Sequence, residues 1–143
     1  MDVVLDTNIA VSAAISRSGN PAEVIKQWQD DAFRWVISPP LLTELERTLR
    51  SDRTRKFIFW NATEIEDFLT IIRRRASMVW PTKEITRIPA DPADNRVLEA
   101  AVEGHVDYVV TGDWHLLELK EHEGTEIVTP RRFLAILAEA SSP

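Results

Sequence analysis

Short apolar runs recur along the chain and are separated by segments with helical spacing. Runs that are typical of buried strands occupy residues 2–6, 34–37, 78–80, 106–110 and 125–128. Helices are indicated between them, with capped starts at Asn20, Ser38, Thr63, Asp91 and Thr129. Strands that alternate with helices predict an α/β domain with a mostly parallel sheet. Residues 51–62 mix basic and aromatic side chains and fit a helical extension, a loop or an interaction surface.

Acidic side chains follow two of the predicted strands. Asp6 comes directly after the first run, and Asp113 comes three positions after Val110. Ligand and metal sites in parallel α/β sheets lie at the carboxyl ends of the strands, so these two acids are candidates for such a site. Each of them is also explained as a turn or cap residue after a strand.

Asp94 is placed by helical periodicity on the apolar side of its helix. At about 100° per residue, Val97, Leu98 and Ala101 lie within about 60° of it. An ionised carboxylate there is costly unless it is paired or binds a metal, although the first helical turn also favours negative charge. Asp91 is better explained as the cap of this helix, from where it can still support the site.

The helix after Ser38 carries two glutamates, Glu44 and Glu46, which flank opposite edges of its apolar stripe, and spacing does not choose between them. Several carboxylates in one crevice would repel one another and raise each other's pKa, and a divalent cation relieves that repulsion. A chain without cysteine or a histidine cluster offers oxygen ligands, which favour Mg²⁺ or Mn²⁺. Asn8 and Thr111 either orient a carboxylate or water or make local turn hydrogen bonds.

Composition favours one folded domain. The chain has 143 residues, 44% of them hydrophobic, and we expect a single domain over residues 1–140 with a frayed tail at 141–143. No apolar stretch approaches the roughly 20 residues of a transmembrane helix, and cysteine is absent. We therefore expect a cytoplasmic protein without disulfides or a membrane partner.

The charge distribution is uneven. The net charge of −6 and the pI near 5.1 argue at first against nucleic-acid binding, because phosphate binders are usually basic. Basic residues nevertheless cluster at Arg47, Arg50, Arg53, Arg55 and Lys56. Such a cluster is either a solvated helix face or a patch that steers phosphates. Trp114, directly after Asp113, either belongs to the core or stacks on a base.

Four segments, in this order, resemble the PIN-domain family of metal-dependent ribonucleases, and more narrowly the relatives of VapC in toxin–antitoxin systems. The segments are Val3-Val4-Leu5-Asp6-Thr7-Asn8, Ser38-Pro39-Pro40-Leu41-Leu42-Thr43-Glu44-Leu45, Asp91-Pro92-Ala93-Asp94-Asn95 and Asp107-Tyr108-Val109-Val110-Thr111-Gly112-Asp113. The resemblance implies a three-layer α/β/α sandwich around a mostly parallel sheet of about five strands. It also implies a catalytic and metal-binding set that consists of Asp6, Glu44, Asp94 and Asp113. The resemblance thus selects Glu44 over Glu46. Thr7 or Asn8 and Thr111 would be supporting polar positions.

The resemblance also implies a function. It indicates an endoribonuclease that uses Mg²⁺ or Mn²⁺ and an activated water to hydrolyse RNA, as the toxin of a toxin–antitoxin pair. RNA would be the substrate, guided by basic residues in 47–56 and 73–75, and a cognate antitoxin and further copies of the chain would be partners. The alternative is a PIN-fold binding module with little or no turnover. A phosphotransferase with Asp6 as nucleophile fits less well, because the position where such enzymes need a second acid is Asn8.

Overall fold

The computed structural model describes residues 1–142, which are organised around one six-stranded sheet. The strands are β1 (Asp2–Leu5), β2 (Arg34–Ile37), β3 (Ser77–Met78), β4 (Tyr108–Val110), β5 (Glu121–His122) and β6 (Thr125–Val128). Their spatial order is β3-β2-β1-β4-β6-β5. All neighbouring strands are parallel except β5, which pairs antiparallel with β6. The predicted α/β class with a mostly parallel sheet is confirmed, with six strands instead of about five.

Helices flank the sheet. Over residues 1–142 they are α1 (Thr7–Ile15), α2 (Asn20–Gln29), α3 (Pro39–Arg50), α4 (Asp52–Arg55), α5 (Ala62–Arg75), α6 (Pro92–Gly104), α7 (Trp114–Leu117) and α8 (Pro130–Ala140). Helix α1 packs against α2 and α3, and α6 packs along β1 and β2. Within the described residues, no helix has the length and apolar character that crossing a membrane requires.

Strand β1 lies inside the sheet and in the core. Its residues Val3, Val4 and Leu5 are at most 1% exposed, because strands cover both of its edges and helices cover its faces. A continuous apolar run of this kind is typical of parallel strands that are buried on both faces. The residue that follows β1 therefore enters the site from the middle of the sheet.

Helix α1 is the main element that the sequence pattern did not predict. Six of its nine residues are buried, and they are distributed around the helix rather than along one stripe. A helix that is apolar all round shows no amphipathic period, and packing on both sides is what stabilises it. The pattern also missed β5, whose hairpin with β6 turns at Glu123 and Gly124, which have φ values of 47° and 87°.

Several helix starts differ from their predicted capping residues. Ser38, Asp91 and Thr129 cap their helices as predicted. Asn20 instead lies inside α2, after Gly19, and the capping box of α5 is made by Asn61 rather than Thr63. Residues 51–62 contain the single turn α4 and the loop that leads to α5.

At the C-terminus, the serines that follow α8 fold back on the end of that helix. The predicted frayed tail falls partly on Pro143, which lies outside the described residues. The hydroxyls of Ser141 and Ser142 both donate hydrogen bonds to the carbonyl of Ala138, at 3.2 and 3.0 Å.

Candidate active site

Asp6 and Asp113 meet at the carboxyl ends of two adjacent parallel strands. Strand β1 pairs with β4 with Leu5 opposite Val110, and the amide of Asp6 donates to the carbonyl of Val110 at 2.9 Å. Asp113 follows β4 and begins α7. Asp6 thus directly follows β1, and Asp113 lies three residues after the end of β4, as the sequence pattern predicts.

Asp6 is buried and held by two hydrogen bonds. Its Oδ2 accepts from the Thr111 hydroxyl at 2.7 Å, and its Oδ1 accepts from the amide of Asn8 at 3.5 Å. Burial raises the pKa of Asp6, and the charges of Asp113 and Asp91 add to that rise, while the two hydrogen bonds oppose it. The Asp6 carboxylate is thus fixed in place, but its two hydrogen bonds do not fully offset the cost of burying its negative charge.

Asp94 occupies the first turn of α6 and is only 5% exposed. Among the described residues, its buried Oδ2 has no hydrogen-bond partner. Burial raises the pKa of Asp94 to about 7, with further contributions from the charges of Asp113, Asp91 and Asp6. At neutral pH this carboxyl group therefore holds a proton for part of the time unless another positive charge replaces it.

Asp91 and Asp113 combine a capping role with membership of the acidic cluster. Asp91 caps α6 by accepting from the amide of Ala93 at 3.2 Å, and Asp113 caps α7 by accepting from the amide of His115 at 2.8 Å. One carboxylate oxygen from each of Asp91, Asp94 and Asp113 lies within 4.8 Å of the others. Capping and clustering are thus not alternatives here, because each residue does both.

Glu44 faces the same acids from α3. It is half-buried, and burial raises its pKa, followed by the charge of Asp6, while a hydrogen bond from Thr7 and the charge of Arg47 lower it. Glu46 instead forms ion pairs with Arg50 at 3.3 Å and with Arg73 at 3.1 Å. Of the two glutamates that spacing left open, Glu44 is therefore the one beside Asp6. Asn8 is exposed, and its backbone amide rather than its side chain contacts Asp6.

The candidate substrate-binding residues fall into different environments. Arg50 is paired with Glu46 and Glu66, so much of its charge is compensated. Arg53, Arg55 and Lys56 are exposed, and no ion pair is formed by them with any described residue. Trp114 is 63% exposed and stacks on the ring of His115, with ring centres 3.9 Å apart.

Two buried polar side chains, the first of them beside the site, were not predicted. The buried amide of Asn95 accepts from the Ile88 amide at 2.9 Å and donates to the Ile88 carbonyl at 2.8 Å, which fixes the chain just before Asp91. Its place beside Asp94 in the sequence was the available signal. The second is His122, which is buried in β5 with Nδ1 2.6 Å from Nη1 of Arg87.

The acidic cluster has the donor chemistry of a site for a hard divalent cation. It offers carboxylate oxygens that converge from the start of α6 and from the segment after β4, and one of them is buried with no partner among residues 1–142. Carboxylate-only ligation suits Mg²⁺, Mn²⁺ or Ca²⁺ and excludes the soft thiolate sites of zinc and iron–sulfur proteins. The residues present therefore fit a divalent cation.

Comparisons with known proteins agree with this architecture. An uncharacterized protein of Methanocaldococcus jannaschii is 25% identical over 140 residues, which cover 92% of this chain and 88% of that protein. A crystal structure of VapBC2 from Rickettsia felis, bound to a DNA fragment from its promoter, has a similar fold, with a TM-score of 0.58 and 16% identity over 90% of this chain and 98% of that one. PIN domains are generally nucleases and typically use divalent metals. The family model for the PIN domain matches residues 2–115, and this chain therefore belongs to the PIN domain family.

Proposed function

We propose that this protein is a divalent-metal-dependent endoribonuclease and the toxin of a toxin–antitoxin pair. The observation that carries the proposal is the buried Oδ2 of Asp94, which has no partner among the described residues and lies beside the oxygens of Asp91 and Asp113. Burying like charges without a partner is strongly unfavourable, and a bound cation removes the cost. The PIN domain match supports nuclease chemistry at this cluster.

In this proposal Asp6, Asp94 and Asp113 hold Mg²⁺ or Mn²⁺, directly or through water, and Glu44 completes the set. Asp91 supplies a further oxygen close to Asp94. A cation bound there would lower the pKa of a bound water and neutralise charge on the scissile phosphate. From the family resemblance, we expect products with a 5′-phosphate and a 3′-hydroxyl.

The remaining polar groups orient the acids. The Thr111 hydroxyl donates to Asp6 and accepts from the amide of Asp113 at 2.9 Å, so one side chain ties the two strand-end acids together. The Thr7 side chain acts on Glu44 in the same sense, because it lowers the pKa of that carboxylate. Supporting contacts of this type fix ligand geometry and commonly change metal affinity when they are removed. Trp114, exposed directly after Asp113, is the candidate for stacking on a base.

The direct test is cleavage of a fluorescently labelled RNA by the wild type and by Asp94→Asn, each with Mg²⁺, with Mn²⁺ and with chelator. We expect metal-dependent cleavage by the wild type and a loss of at least about 100-fold in the variant, because a ligand to the metal is a catalytic group. Asp67→Asn, an exposed change on α5, is the matched control and should cleave normally. Equal rates in all three proteins would refute the proposal.

Titration with Mn²⁺ separates the nuclease from a non-catalytic binding module. A nuclease should bind Mn²⁺ in calorimetry, and Asp94→Asn should weaken that binding. A protein that binds RNA but neither binds Mn²⁺ nor cleaves would be the module instead. Retained Mn²⁺ binding without cleavage of any RNA would also count against the enzymatic role.

The toxin role is tested in cells. Controlled expression should arrest growth in a bacterial host, whereas Asp94→Asn should not, and the product of the neighbouring reading frame should relieve the arrest and co-purify with this chain. VapBC2 of Rickettsia felis forms such an assembly, which supports the choice of partner. Light scattering on the purified cytoplasmic protein tests the homo-oligomer that we also expect.

A further inference from the structure

We propose that residues 53–59, together with Arg17, form a binding platform for single-stranded RNA at a distance from the acidic cluster. The platform would stack bases on the rings of Phe57 and Phe59 and hold the adjoining phosphates with its cations. The choice of RNA as ligand rests on the proposed function, whereas the existence of the surface does not.

The aromatic rings of the platform are exposed to an unusual degree. Phe57 is 66% exposed and Phe59 is 56% exposed, in a protein whose other phenylalanines, Phe33, Phe68 and Phe133, are at most 6% exposed. The guanidinium carbon of Arg17 lies 3.7 Å from the centre of the Phe59 ring. A cation held against an exposed aromatic ring combines a positive charge with a surface on which a base can stack.

The positive charge of the platform is free to act on a ligand. Arg53, Arg55 and Lys56 are exposed, and in residues 1–142 none of them forms an ion pair. In the cluster at 73–75, by contrast, Arg73 pairs with two glutamates, and Arg75 pairs with an aspartate at 2.7 Å. The one acidic residue within 51–60 is Asp52. On a chain of net charge −6, this segment is therefore a local attractor for phosphates.

The platform is attached to the same helix that begins at the acidic cluster. The amide of Phe59 donates to the carbonyl of Ala14 at 2.8 Å, near the end of α1, and the amide of Phe57 donates to the carbonyl of Thr54 at 2.9 Å. Helix α1 begins at Thr7, directly after Asp6. Its length of nine residues separates the two ends by about 12 Å, at a rise of about 1.5 Å per residue. One RNA strand can therefore touch both places.

The chemistry favours single-stranded RNA over a protein or a duplex. A partner helix is recognised by a continuous apolar groove, whereas here the Arg17 guanidinium lies over the Phe59 ring, and Phe57 directly follows the exposed Lys56 in the chain. A duplex hides the faces of its bases, so aromatic side chains recognise unpaired ones. Rings that alternate with cations are the arrangement found in sequence-tolerant binding of single strands.

Fluorescence anisotropy with a labelled 12-nucleotide oligouridine tests the platform apart from cleavage. The measurements use the Asp94→Asn background with Mg²⁺, which keeps the RNA intact. The Phe57→Leu/Phe59→Leu variant keeps apolar area but removes the flat rings, and we expect it to weaken binding about tenfold or more. Unchanged affinity in this variant, or no RNA binding by the parent protein, would overturn the proposal.

A second variant tests the charges. Arg53→Ala/Arg55→Ala should reduce the slope of log K against log salt by about 1.4, since each phosphate contact with a single strand contributes about 0.7. Arg131→Ala/Arg132→Ala removes two exposed arginines of α8 and is the matched control, which should keep the slope. Equal slopes in the two double variants would contradict a platform at 53–59.

Three further readouts separate this inference from the proposed function. If the wild type binds RNA through the platform but does not cleave it, the nuclease proposal fails and the platform stands. If the leucine variant cleaves a long single strand as efficiently as the wild type, the platform fails and the nuclease stands. If that variant instead changes the oligomeric state in light scattering with unchanged RNA affinity, the rings are a contact between copies and the inference is wrong.

Discussion

Asp94→Asn should stabilise the metal-free protein at alkaline pH although it removes a proposed ligand. Asp94 is 5% exposed, and its carboxyl group lies among the acidic groups of Asp6, Asp91 and Asp113. Asparagine has nearly the same shape, can donate a hydrogen bond to a neighbouring carboxylate, and carries no charge. The substitution thus removes the repulsion and leaves the packing of α6 unchanged.

The magnitude follows from the pKa of Asp94. A value of about 7 in the folded protein, against 3.8 for the free side chain, means that the folded state holds this proton more tightly than the unfolded state does. The stabilisation that the proton confers is complete below about pH 4 and is lost as the pH rises through 7. The full shift of about 3 units corresponds to about 4 kcal/mol as an upper bound. Because Asp91 and Asp113 are partly exposed to screening solvent, we expect about 1–2 kcal/mol.

Urea unfolding in chelator, at about pH 5 and about pH 8, measures the effect as the difference between variant and wild type. The gain from Asp94→Asn should be roughly 40% of its full size at the lower pH, where the folded wild type is protonated but the unfolded state is already ionised, and should reach its full size at the higher pH. With saturating Mn²⁺, the wild type should instead be more stable than the variant, because only the wild type would be stabilised by binding the ion. A variant that is equally or less stable than the wild type at both pH values would refute the electrostatic reasoning.

Three other substitutions test the contacts of the site and the packing of helix α6, which carries Asp94. Thr111→Val removes the hydroxyl donor to Asp6 and should weaken Mn²⁺ binding about tenfold in calorimetry, whereas Thr111→Ser should not. Gly104→Ala would put a Cβ 2.8 Å from a valine methyl of β2 and should lower the free energy of unfolding by about 1–3 kcal/mol; an increase would show that the strand yields and that helix propensity dominates. Asn95→Leu leaves the buried amide and carbonyl of Ile88 without hydrogen-bond partners and should lower the free energy of unfolding by about 3 kcal/mol. It should also speed proteolysis of the segment before α6, and unchanged resistance to protease would contradict the anchoring role of Asn95.

The sequence was most informative where local pattern and burial agree. A four-residue apolar strand that is buried on both faces leaves few alternatives for Asp6, which must emerge at the strand end. Helical angles placed Asp94 on the inward face of α6 because the apolar residues of that helix form a recognisable stripe. In both cases the hydrophobic positions determine where the acid points, so the prediction needed no knowledge of distant contacts.

The parts that sequence reasoning missed depend on contacts between distant segments. Helix α1 is surrounded by apolar neighbours, so its own period is lost. Spacing within α3 did not choose Glu44 over Glu46, which the family resemblance selected, because Glu46 also pairs with Arg73 of the distant helix α5. The two-residue strand β5 is stabilised by its partner β6 and carries almost no signal of its own.

Three of the site acids also cap helices, and this affects how the sequences of related proteins should be interpreted. Asp6, Asp91 and Asp113 each begin a helix, so selection for folding alone would retain an oxygen-bearing side chain there even after catalysis had been abandoned. Asp94 caps no helix, and the burial of its ionised carboxylate is a net free-energy cost to the fold. In related sequences, the presence of all three helix-capping acids would therefore be weak evidence of an active enzyme. An aspartate at the position of Asp94 would be stronger evidence.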